Sequence, residues 1–147
     1  MGEGDVPATM KRLKVRRERL ADAAGDLERA VTSAAGDPVV WHGEVRVAVG
    51  EVRKALAAHV DEVEAPGGLY VEVAGVSPRL LPMVERLRRD HDDLSGRIDG
   101  LGDLLVDDGP VDAIREAALA LLLEISRHRH RGADLLWEFY DVDVGGE

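Results

Sequence analysis

The stretch LPMVERLRRDHDDLSGRIDGLGDLL, residues 81–105, decides how the chain folds. Its apolar residues Leu81, Val84, Leu87, Leu94, Ile98, Leu101 and Leu105 recur at steps of three, four and seven, which keeps them on one face of a helix. The gap between Leu87 and Leu94 is filled by His91, in register with the hydrocarbons. Pro82 falls in the first turn, where its missing N–H would be unbonded anyway.

Working outward, the same period recurs three more times. From residue 7 to 34 the stripe is Met10, Leu13, Leu20, Ala24, Leu27 and Val31, and GDP at 36–38 ends that segment and starts the next. From 39 to 64 it is Val45, Ala48, Val52, Leu56, His59 and Val63, closed by APGG at 65–68, which continues a helix poorly. After DDGP at 107–110 it is Ile114, Ala118, Leu121, Ile125, His128, Gly132, Leu135 and Phe139. The connection LYVEVAGVSP is apolar enough to lie against the bundle. Its YVEV could be a strand fragment, but a lone strand has no partner for its backbone, so a packed loop over 69–77 is expected. The fold class is therefore all-α, an antiparallel four-helix bundle in a single domain spanning 1–147, with residues 1–7 flexible.

Composition narrows the function. The chain has 147 residues, enough for one core, and no cysteine, which removes disulfides, thiolate metal sites and thiol nucleophiles together. A net charge of -10 repels phosphate backbones. The basic run KRLKVRRER, residues 11–19, has no interleaved aromatic for base stacking and reads as a solvated helix flank, so no nucleic-acid partner is expected. The N-terminus lacks the pattern of a secretory signal, and AALALLL at 117–123 is too short to span a bilayer. No membrane partner and a cytoplasmic location are expected.

His59, His91 and His128 each lie on an inward stripe, on three different helices and away from their ends. A single inward histidine is usually a satisfied core residue, but three that antiparallel packing can bring to one depth form a candidate site for iron, manganese or zinc. His130 lies about 200° round the helix from His128, on the wet side. His42, just off the second stripe, reads as a helix-end residue touching solvent.

ALAAHVDEVEAP at 55–66, LRRDHDDLSGRIDGL at 87–101 and LLLEISRHRHRGADLLWEFY at 121–140 resemble, in order, the second, third and fourth helix motifs of hemerythrin-like (HHE cation-binding) domains, a resemblance covering roughly residues 39–140. It implies a four-helix bundle with a non-haem di-iron site that binds oxygen or handles iron and oxidants. The inward histidines of that family fall on His59, His91 and His128. Its bridging carboxylates, four residues beyond the second- and fourth-helix histidines, fall on Val63 and Gly132, and the first helix supplies no histidine. Two irons would lack bridging ligands, so the expected site holds one iron or zinc ion per chain on the three imidazoles. Water, Glu62 or a first-helix carboxylate such as Glu28 would fill the open position. A mid-helix glycine costs about 1 kcal/mol against alanine, so Gly132 is read as a close-packing position, with space for a bound molecule above His128 as the alternative.

The expected function is a metal-binding hemerythrin-like protein acting in oxygen or iron response; the alternative is a metal-free interaction or regulatory module of the same fold. No nucleophile, base and orienter fall together, so an enzyme ranks last. Trp137, Phe139 and Tyr140 beside Asp141, Asp143 and Glu147 seal the bundle end, or offer a docking edge for a partner or a second copy.

Overall fold

The computed structural model describes residues 8–144. The expected flexibility of residues 1–7, the place of the Met10 side chain and that of Glu147 lie outside the described residues. Four long helices form an all-α bundle: α1 (Ala8–Thr32), α2 (Pro38–Glu64), α4 (Leu81–Val106) and α5 (Val111–Leu136). Packing runs α1 on α2, α2 on α4, α4 on α5 and α5 back on α1, which closes the ring. No helix among the described residues is long and apolar enough to cross a membrane.

Local chemistry sets the boundaries. Asp37 caps α2, its carboxylate accepting from the backbone N–H of Val39 at 3.0 Å, while Pro38 occupies the first turn. At the far end Gly67 takes φ +82, and a Cβ on Gly68 would stand 2.7 Å from the Glu62 carbonyl, so the APGG turn needs both glycines.

Residues 69–77 correct the packed-loop expectation. They pack against the bundle, but as a short helix, α3 (Leu69–Val76), which buries Leu69, Tyr70 and Val73. The three valines in this stretch suggest a strand or loop, yet the apolar positions follow a helical turn, and burial outweighs weak β-branched propensity. A 3₁₀ turn, Pro78–Leu80, leads into α4, and α5 continues into a π-helical segment, Trp137–Val144.

Most stripe positions become the core; Leu81 is exposed at the start of α4, and Ala24 and Gly132 are half-buried. One apolar cluster, including Leu27, Val52, Leu56, Leu94, Ile98 and Ile125, fills the end that holds the α1–α2 and α4–α5 turns. A second, including Leu13, Val63, Tyr70, Leu87, Leu135 and Phe139, fills the end covered by α3. Between Leu56 and Val63, between Leu87 and Leu94, and between Ile125 and Leu135, the buried side chains are His59, Asp90 with His91, and His128. A histidine layer thus divides the core.

Candidate metal centre

All three histidines are buried, and one ligand atom from each lies within 4.8 Å of the others. Their ring centroids are 4.8 to 5.4 Å apart. His59 Nε2 and His128 Nε2 stand 3.3 Å from each other. Two nitrogens held at about 2.0–2.1 Å around a tetrahedral zinc stand about 3.3 Å apart, which is the spacing of the His59 and His128 pair. The three buried histidines can hold a metal ion.

Two carboxylates stand behind the imidazoles. His128 Nδ1 donates to Asp90 Oδ2 at 2.9 Å. Arg131 grips the same carboxylate with two parallel bonds, of 2.9 and 2.8 Å, and Arg86 adds a longer one. His91 Nδ1 donates to Glu64, which also pairs with Arg88 at 3.3 Å. With Nδ1 protonated on both rings, each leaves an Nε2 lone pair free to accept a proton or bind a cation. Tyr70 uses one of them, its phenol hydroxyl lying 3.4 Å from His91 Nε2. His59 Nε2–H donates to the other, on His128, while His59 Nδ1 is buried without a partner. This assignment closes with all three imidazoles neutral.

For His59 and His128 the electrostatics agree with it. Burial, reinforced by the neighbouring His91, His128 and Arg17, pushes the His59 pKa down to about 3. Burial also lowers His128, although the bond to Asp90 works against it. Burial alone would raise Asp90, but the bonds from Arg131 and His128 outweigh it and hold the carboxyl below its usual range. Burial raises the Tyr70 hydroxyl, which therefore stays a neutral donor.

Of the ligands expected from sequence, Glu62 does not join the histidines: it pairs with Arg12 of α1 at 2.9 Å. Glu28 is exposed. Val63 is buried among hydrocarbons, and no carboxylate among the described residues stands with the three ligand atoms.

Gly132 does not fit the close-packing reading, since a Cβ there would meet nothing within 4 Å. It borders a cavity of about 20 Å³ beside the triad, where Leu13, Arg17, Leu20, His59 and His128 also line the wall. His42 also departs from expectation. It is buried, with Nδ1 bonded to the Pro38 carbonyl and Nε2 3.0 Å from the Gly109 carbonyl, tying the start of α2 to the α4–α5 turn. The reason is that the turn folds over a position that helix counting alone leaves open. His130 is exposed, as its register implies.

No family model, curated protein or solved structure matches the chain.

Proposed function

We propose that this chain is a hemerythrin-like metal-binding protein with a mononuclear site, in which His59, His91 and His128 hold one iron or zinc ion. The observation that carries the reading is the pairing of His128 with Asp90 and of His91 with Glu64. Carboxylates on Nδ1 fix ring orientation and raise the basicity of the opposite nitrogen, the usual support behind metal-bound histidines. Bound there, an iron ion would supply an open coordination position for a small molecule such as oxygen, which suits a role in oxygen or iron response. The protein's part is to hold the imidazoles neutral, orient them through Asp90 and Glu64, and keep the layer dry between two hydrocarbon clusters. The test is titration of chelator-treated, untagged protein with ferrous iron or zinc. Saturation at about one ion per chain, lost in His91→Ala while helicity is retained, is expected. Saturation at two, or none at all, would reject the reading.

A second reading is a metal-free interaction or regulatory module. It is favoured by the Tyr70–His91 and His59–His128 bonds, which satisfy the Nε2 atoms without a cation. In that case the C-terminal segment is the docking edge: Phe139 is buried in the core, but Trp137 is 61% exposed.

A further inference from the structure

The cavity beside the histidine layer carries a second feature that the metal reading does not use. Arg17 of α1 and Arg129 of α5 both line it, as do Leu13, Leu20 and Leu135. Neither arginine has a carboxylate partner among the described residues, whereas Arg127 and Arg131, flanking Arg129 on α5, are each paired. The acid nearest in sequence to Arg17, Glu18, is exposed, and Glu62 is taken by Arg12. Arg17 is half-buried against these leucines without a counter-ion and is poorly solvated, while Arg129 stands exposed at the rim. Burial, and after it the charge of Arg129, shifts Arg17 toward the neutral form. A chain with a net charge of -10 does not lack carboxylates to place there.

We propose that this cavity is a binding site for a short-chain monocarboxylate, its carboxylate held by Arg17 and Arg129 and its hydrocarbon end against Leu13, Leu20 and Leu135. The charge follows from the arginines, and the planar group from the guanidinium fork, which matches a carboxylate with two parallel bonds. The length follows from the space. A free volume of about 20 Å³ leaves room for a short hydrocarbon stub and not for a longer chain, with the carboxylate at the open rim. Gly132 keeps the wall open, since a side chain there would project into unfilled space. His59 Nδ1, buried without a partner, belongs to a residue of the same wall. The site needs no metal.

Calorimetric titration of chelator-treated protein with propanoate tests this, with propanol, hexanoate and inorganic phosphate as comparisons. Saturable binding of propanoate is expected, at least about tenfold tighter than that of any of the three. Arg129→Gln, on the exposed rim, and Arg17→Gln should each weaken it about tenfold, and Gly132→Leu should abolish it with helicity unchanged. Equal binding of propanol, tighter binding of phosphate, no saturable binding, or affinity unchanged in both arginine variants would overturn the proposal. Because the titration uses metal-free protein, its failure leaves the metal stoichiometry untouched, and the reverse also holds.

Discussion

His128 and Asp90 are joined through Nδ1 and Oδ2 at 2.9 Å, both side chains buried, with Arg131 closing the other side of the carboxylate. One aspartate therefore serves two partners. Asp90→Ala would leave a histidine without its orienting acceptor and an arginine without its anion. Loss of about 1–3 kcal/mol in urea denaturation is expected, from hydrogen bonds lost to a buried carboxylate whose arginine partner is partly open to water. Asp90→Asn keeps an acceptor but not the charge, and should weaken metal binding by about 10–100-fold while costing less stability than the alanine variant. A metal affinity unchanged in Asp90→Asn would remove Asp90 from the site.

Gly132 sits mid-helix in α5 with open space where its Cβ would be. Gly132→Ala should therefore stabilise the protein by about 1 kcal/mol, since only the entropy of the helical glycine is relieved and nothing is displaced. A drop in the thermal midpoint would restore the close-packing interpretation.

His42 gives the pH dependence a definite sign. Its nitrogens face two carbonyl oxygens, so the protonated ring, donating twice, is the form the fold favours, and the bonds to Gly109 and then Pro38 raise its pKa despite the opposing effect of burial. Asp108 adds to the rise and Arg46 opposes it. A raised folded-state value means stability that is fully present below about pH 6.5 and is lost as the pH climbs through that raised value. His42→Gln should flatten this part of the denaturation profile. An unchanged slope between wild type and variant would place the pH dependence elsewhere.

The bundle was legible because most stripe positions on the four long helices are buried: a 3.6-residue period of hydrocarbons leaves little choice of face. The same counting separated His59, His91 and His128 from His130. It was less informative where a residue's place depends on another helix. Asp90 lies three residues after Leu87 and four before Leu94, on the apolar face by the rule that picked out His91, but a lone aspartate there is readable only with Arg131 and His128 opposite. Glu64 is the last residue of α2, where register no longer fixes direction, and it turns to His91. Glu62 was drawn away by Arg12, a contact between segments that no spacing within α2 reveals. The valine-rich 69–76 stretch was ambiguous because strand and buried helix share the same residues over so short a run.

The histidine layer is proposed to hold one ion. Elemental analysis of protein purified without a histidine tag and loaded with iron or zinc tests it most directly. About one metal per chain is expected, absent from His91→Ala. Two metals per chain, or wild type and variant equally free of metal, would contradict it.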